Sequence, residues 1–305
     1  MTQIIGPYQV HDLPAARRDT PHFLDLTQAR HSMYGLLEVD VTLAREFIEA
    51  HKARTGEALS FTGYLVFCLA RAVDENKSVQ AYLKGRKHLV QFDDVDVGMP
   101  IEREVGGSRA PMGHVIRRAN HKTFLEIHQE IRAVQTGPVP PNKGVPSWVR
   151  FILLLPWPLP TLFIALLRAA RRRDPAGPAG IVPTGGTVAV TAVGMFGKHS
   201  GWGVTPTVHS LMLIVGGIAR KPGLVGDRVE PREMLSLTVA LDHDIVDGAP
   251  AARFVQRLIE LIESGYGLFD DDRRAEKQVD GRENGNRASQ PIQHPDLSGE
   301  RAARG

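Results

Sequence analysis

One cysteine stands in 305 residues, so no intrachain disulfide can form. Its scarcity fits a reducing compartment, and a cytoplasmic location is expected. Cys68 sits in Tyr64-Leu65-Val66-Phe67-Cys68-Leu69-Ala70, apolar on every side. Nothing there would lower its pKa, so the thiol is expected to be buried and inert. Aromatic residues make up only 6% of the chain, and none interleaves with a basic stripe. That pattern excludes nucleic-acid binding as a working hypothesis. Charge of either sign is nearly balanced, at a formal +3. The N-terminus lacks a basic-then-apolar leader pattern. No repeats occur. No His/Cys/Asp/Glu cluster has ligand spacing beyond the pair His243 and Asp247, and two ligands rarely hold a metal, so none is expected.

What is present is an ordinary globular composition, with 42% apolar and 23% charged residues, long enough for one large domain. The sequence divides into an N-terminal arm over 1–34, a domain over 35–268 and a tail over 269–305. From Asp270 on, the tail holds no aromatic residue and is dense in charge, Gly, Asn and Gln, so it is expected to be disordered. Gly35 to Val41 reads as a strand. Thr42 offers an N-cap for a helix through about Arg54, stopped by Gly56. Phe61 to about Asp74 reads as a buried helix, apolar nearly all round. Val95 to Ile101 reads as a strand before a Gly106-Gly107 turn. Asn120 to Gln135 reads as an amphipathic helix with Phe124, Ile127 and Ile131 on one side. Further strands are predicted at Thr187–Val193 and Leu211–Ile218.

The most informative stretch is Leu241-Asp242-His243-Asp244-Ile245-Val246-Asp247-Gly248. Upstream, Leu235, Leu237, Val239 and Leu241 alternate with Ser236, Thr238, Ala240 and Asp242, which is strand periodicity. Downstream, Pro250 suits a first helical turn, and Phe254, Leu258 and Leu261 recur at helical spacing up to Gly265. His243 is therefore predicted where a strand hands over to a helix. Histidine is the side chain best suited to proton transfer near neutral pH. Gly248 would allow a tight turn or a positive φ. The bland alternative is a solvated turn histidine.

Phe151 to Leu167 is odd. It carries no charge, and arginines flank it at Arg150, Arg168 and Arg171–Arg173. Its length is at the bottom of the membrane-spanning range, but Pro156, Pro158 and Pro160 break any helix at its middle. Interfacial membrane contact through 151–167, within an apolar segment over 148–170, stays open beside burial against the protein or a neighbouring subunit.

Asp242-His243-x-x-x-Asp247-Gly248 resembles the Asp-His-x-x-x-Asp-Gly motif of the acyltransferase subunits of 2-oxo acid dehydrogenase complexes. Chloramphenicol acetyltransferase shares that fold and a related motif. Gly185-Gly186-Thr187-Val188-Ala189-Val190-Thr191-Ala192-Val193-Gly194-Met195-Phe196-Gly197 is similar to a second strand of the family, and Thr205-Pro206 and Leu211–Gly217 follow in the expected order. The resemblance covers about residues 15–266. It implies a two-layer α/β sandwich with a mixed sheet, and reversible acyl transfer between coenzyme A as co-substrate and a thiol or hydroxyl acceptor. His243 would be the general base, and Thr191 takes the place of the family's oxyanion-stabilising serine. The alternative for Thr191 is a simple β-former. Asp247 would be a structural anchor paired with Arg17 or Arg18, and Asp242 and Gly248 would support the site. A homotrimer with sites between subunits is implied.

Departures from the family matter. No lipoyl domain or peripheral binding domain precedes the motif region, so no covalent lipoyl group is expected on this chain. Asp244 follows the histidine where the complex subunits carry arginine, which reverses the local charge. The alternative to a stand-alone acyltransferase is an inactive trimeric scaffold or partner-binding subunit.

Overall fold

The structure, a computed structural model, describes residues 9, 11–12, 30–85, 87–105, 108–137, 156, 158–174, 176–177, 182–193 and 199–268. The chain divides into units 1–266 and 267–305. The tail over 269–305, Gly106-Gly107, and Arg17 and Arg18 lie outside the described residues.

The first unit is built on a mixed six-stranded sheet in the order β1-β8-β7-β6-β4-β5. β1 (Ser32–Asp40) is antiparallel to β8 (Arg228–Asp242), and β8 to β7 (Leu211–Val225). β6 (Val188–Ala192) runs parallel to β7 and to β4 (Val97–Val105), and β5 (Ser108–Ile116) closes the sheet antiparallel to β4. A two-stranded ribbon, β2 (Tyr82–Lys84) with β3 (His88–Val90), stands apart.

Four helices form the second layer. α1 spans Thr42–Thr55, α2 Phe61–Glu75, α3 Phe124–Thr136 and α6 Gly248–Glu263. α2 packs between α3 and α6, while α1, α3 and α6 reach β8, β4 and β1. The reason lies in spacing. α6 buries Ala251, Phe254, Leu258, Leu261 and Ile262, one face of a 3.6-residue repeat. Tyr64 of α2 sits fully buried, its ring edge-on to Phe124 with centroids 5.9 Å apart. Its hydroxyl donates to the carbonyls of Leu261 and Ile262 at 3.1 and 3.0 Å, which ties α2 to the end of α6. Each such buried large side chain contributes about 1.5–3 kcal/mol. Cys68 is fully buried, and that burial pushes its thiol up to about 12.

Several boundaries differ from the sequence reading. β1 starts at Ser32, before Gly35. Thr42 is the first residue of α1 rather than its cap. Its N–H and hydroxyl both donate to Asp40 Oδ1, at 2.9 and 2.6 Å, so the carboxylate two residues earlier satisfies the helix start. The expected stop holds, since Gly56 adopts φ 78° at the C-cap. α3 begins at Phe124 because Thr123 and Glu126 form a capping box there, and a 3-10 turn occupies Ala119–His121. The strand read at Val95–Ile101 runs from Val97 to Val105.

Of the apolar segment over 148–170, residues 148–155 and 157 lie outside the described residues. α4 (Leu159–Arg173) starts after Pro156 and Pro158, with Pro160 in its first turn, where no N–H is needed. A four-residue α5 (Val182–Gly185) leads into β6.

Candidate active site

His243 lies one residue beyond β8, at the turn leading to α6. The ladder with β1 continues through this position, because the His243 N–H donates to the His31 carbonyl at 2.9 Å. Asp242 is the buried post of the turn. Its N–H donates to Ser210 O at 2.9 Å, and its own carbonyl accepts from Ile245 and Val246 at 3.0 and 3.1 Å. Oδ1 of Asp242 accepts the Asp244 N–H at 3.1 Å, and Oδ2 accepts from the Arg30 guanidinium. The Asp242 side chain is only 4% exposed, so this carboxylate depends on Arg30 for its charge balance.

Arg30 also lies over the Tyr82 ring, 5.3 Å from its centroid. The Tyr82 hydroxyl donates to Thr187 O at 2.8 Å, and Thr187 Oγ1 donates to Gln80 Oε1 at 2.7 Å. Thr187 immediately precedes β6, which carries Thr191. A chain of contacts thus runs from the His243 turn through Asp242, Arg30 and Tyr82 to the start of the Thr191 strand. His209 is buried in the same region and faces Gly185 O at 3.0 Å through Nε2. Burial first, and the Arg30 charge after it, push its pKa down to about 4.

The backbone of His243 is pinned while its ring is exposed and meets no hydrogen-bond partner among the described residues. Thr191 is half-buried, and its hydroxyl is likewise without a hydrogen-bond partner among the described residues. A row of register partners crosses the sheet as Leu36, Thr238, Ile214 and Thr191, all pointing to one face. The segment after Gly201 crosses this face: a Cβ on Gly203 would lie 2.9 Å from Ile214 Cγ2 and 3.0 Å from Val193 Cγ2. Contact is closest at the β7 bulge. There a Cβ on Gly216 would sit 2.1 Å from Gly201 O and one on Gly217 2.1 Å from His199 O, so only glycine fits. Tyr34, Leu36 and Val193 on this face remain exposed, as does Trp202 beside them, whose Nε1 donates to Leu37 O at 2.7 Å.

His243 and Thr191 are not neighbours within one chain. Thr191 lies level with Thr238 across two strand spacings, and His243 is five residues further along β8. That is about 10 Å across and about 16 Å along the sheet, or roughly 19 Å between the backbones.

Asp247 occupies the N-cap of α6, is exposed, and makes no side-chain cap bond. It forms no ion pair among the described residues, and the expected partners Arg17 and Arg18 are outside them. Gly248 neither turns tightly nor takes a positive φ; it is the first residue of α6, with no atom within 4 Å of a Cβ placed there. Asp244 faces His31, Oδ1 to Nδ1 at 2.9 Å, on the surface. Arg30 and His31 were missed by the sequence reading. Only the β1–β8 register reveals them, since Ser32 pairs with Asp242 and the preceding residues therefore flank the turn. Among the described residues no group of three potential ligands could hold a metal ion.

The profile of the 2-oxoacid dehydrogenases acyltransferase (catalytic domain) family matches residues 10–137 and 183–269. The lipoamide acyltransferase component of the branched-chain alpha-keto acid dehydrogenase complex of Bacillus subtilis is 23% identical over 243 residues, 78% of this chain and 48% of the relative. The chain spans about half the length, or less, of the curated relatives it matches. Among solved structures, a probable dihydrolipoamide acetyltransferase from Listeria monocytogenes superposes with a TM-score of 0.58 at 20% identity, covering 86% of this chain and 96% of that one. The dihydrolipoamide acetyltransferase of Azotobacter vinelandii superposes at 0.59 and 18% identity, covering 88% and 100%. Its catalytic mechanism has been investigated through a serine, a histidine and an asparagine, the serine 52 positions before the histidine and the asparagine four after it. Thr191, His243 and Asp247 keep both separations. With both motif strands inside the matched blocks, the chain belongs to the acyltransferase catalytic-domain family of the 2-oxoacid dehydrogenases.

Proposed function

We propose that this chain transfers an acyl group between coenzyme A and a thiol or hydroxyl acceptor, with His243 as the general base. The observation that carries the reading is the pair of groups without hydrogen-bond partners among the described residues, the His243 ring and the Thr191 hydroxyl, at the two motif positions. In the direction from acyl-CoA to a thiol, His243 takes the S–H proton. The thiolate sulfur then attacks the thioester carbonyl, and a negatively charged oxygen forms. Thr191 donates a hydrogen bond to that oxygen. The carbon–sulfur bond to coenzyme A breaks, and the imidazolium returns the proton to the departing thiolate. Asp242 and Arg30 hold the turn, and Asp247 stands at the head of α6 as a positioning residue.

A separation of roughly 19 Å prevents His243 and Thr191 of one chain from flanking a single carbonyl carbon. The site we propose is therefore shared, with His243 from one copy and Thr191 from another. The exposed Tyr34, Leu36, Val193 and Trp202 on the Thr191 face supply apolar surface for such an interface. A trimer is the assembly we infer.

Acetyl-CoA consumption with a panel of thiol and hydroxyl acceptors tests this, and a dihydrolipoyl thiol heads the panel because relatives are named for it. His243→Ala should lower kcat by about 10²–10⁴. Thr191→Ala should lower it by about 10²–10³, and Thr191→Ser should keep most of it. Mixing the two inactive variants, with exchange of copies, should restore activity. No turnover by the wild type with any acceptor would leave the scaffold alternative standing. Mixed assemblies without activity would sink the shared site.

A further inference from the structure

α4 lies outside both blocks of the chain that match its family, in the stretch 138–182 between them. On this helix Leu159, Leu162 and Leu166 are 49%, 57% and 61% exposed. Their spacing places them on one face, and the exposed Ala169 and Arg173 continue it. The helix sequence, Leu-Pro-Thr-Leu-Phe-Ile-Ala-Leu-Leu-Arg-Ala-Ala-Arg-Arg-Arg, contains four arginines and no acid. The next residue, Asp174, turns back to Lys84 of β2 at 3.5 Å, and the helix packs on β2. The apolar stripe is thus left facing outward while the helix is anchored at its end.

We infer that α4 is a docking surface for an anionic lipid bilayer, lying in the plane of the membrane rather than crossing it. Fifteen residues give a helix of about 22 Å, short of the roughly 30 Å of hydrocarbon. No helix among the described residues is long and apolar enough to span. An outward leucine stripe ending in arginines is the composition that settles into the boundary between headgroups and acyl chains. Charge selects the occupant. From residue 138 to Arg173 the sequence holds six bases and no Asp or Glu, in a chain otherwise close to balance. A second copy meeting the stripe about a two-fold axis would bring the same bases to the contact and no acid to meet them. Anionic headgroups supply the missing charge, worth about tenfold in binding for one or two surface bases.

The test is flotation of the full chain with vesicles of equal phosphatidylglycerol and phosphatidylcholine, and with phosphatidylcholine alone. Floated protein should be at least about tenfold greater with the anionic vesicles, and should fall as salt is raised. Leu162→Asp with Leu166→Asp should cut it at least tenfold, as should replacing Arg171, Arg172 and Arg173 by Glu. The milder Leu162→Ser with Leu166→Ser serves if the aspartates perturb folding, as read by circular dichroism. Wild type that stays at the bottom of the gradient with anionic vesicles overturns the inference. So do leucine variants that float like wild type. So too does a fall in assembly size caused by the leucine variants, which would place a second copy on this face instead.

Discussion

β8 is one strand with two unlike halves. From Leu235 to Asp242 every residue is buried, and the strand is paired with β1 on one side and β7 on the other. From Arg228 to Glu230 every residue is exposed, and the pairing is with β7 alone. Leu224 and Val229, register partners near the tip of this ribbon, are 76% and 70% exposed. The same backbone geometry thus serves a buried, charge-balanced base for the His243 turn at one end and a solvated arm at the other. What differs is the number of neighbours. A buried carboxylate needs a countercharge, and at the site end Asp242 has Arg30, while the buried hydroxyls of Ser236 and Thr238 in the same half have no hydrogen-bond partner among the described residues.

The sharpest way to break that contrast is to remove Arg30. Arg30→Met leaves the Asp242 carboxylate buried without its cation and should cost about 3–5 kcal/mol in urea unfolding at neutral pH. Adding Asp242→Asn should recover a large part of the loss, because the uncompensated charge goes with it. A cost below about 1 kcal/mol for Arg30→Met would show that the site end is no more demanding than the ribbon.

Acid gives the next largest effect. His209, below the turn, has its pKa pushed from 6.5 to about 4 by burial, so the folded state holds it neutral. Between those values the unfolded chain binds the proton and the folded chain does not. Its contribution is therefore complete above pH 6.5 and is lost as pH falls toward 4, by about 3 kcal/mol in total. His209→Gln should flatten this part of the stability curve relative to wild type between pH 7 and 4.5. Curves that stay parallel would place the histidine outside the charge-sensitive core.

The buried half of this contrast was legible in the sequence and the exposed half was not. Alternation from Leu235 to Asp242 marked the site end of β8, and helical spacing from Phe254 marked α6. The ribbon was hidden because charges and the facing Pro222 and Pro231 interrupt its pattern. β5 was hidden for a related reason. It is an edge strand, and edges tolerate Pro111 and Gly113, which erase the strand signal. β4 continues past Pro100 because its pairing with β6 ends at Gly98, leaving that side without a ladder to interrupt. β2 and β3, at three residues each, are too short for any period to show. At the site, His243 and Thr191 announced themselves by motif. Arg30 and His31 did not, because they reach the turn through strand register, which the local sequence does not encode.

The smallest effect belongs to the ribbon itself. Leu224→Thr with Val229→Thr removes the apolar contact between two register partners already open to water. Threonine is β-branched, a shape that a strand accepts, so the backbone has no reason to move. A cross-strand pair of this kind is worth about 0.2–1 kcal/mol, and exposed positions rarely exceed 0.5. The double variant should therefore unfold within about 1 kcal/mol of wild type and consume acetyl-CoA at an unchanged rate. Urea midpoints and initial rates measure both. A loss of several kcal/mol, with a smaller assembly in sedimentation, would mean that the ribbon tip is covered by another copy. Its exposure in the single chain would then be the mark of an interface, and the two halves of β8 would be equally buried in the assembled protein.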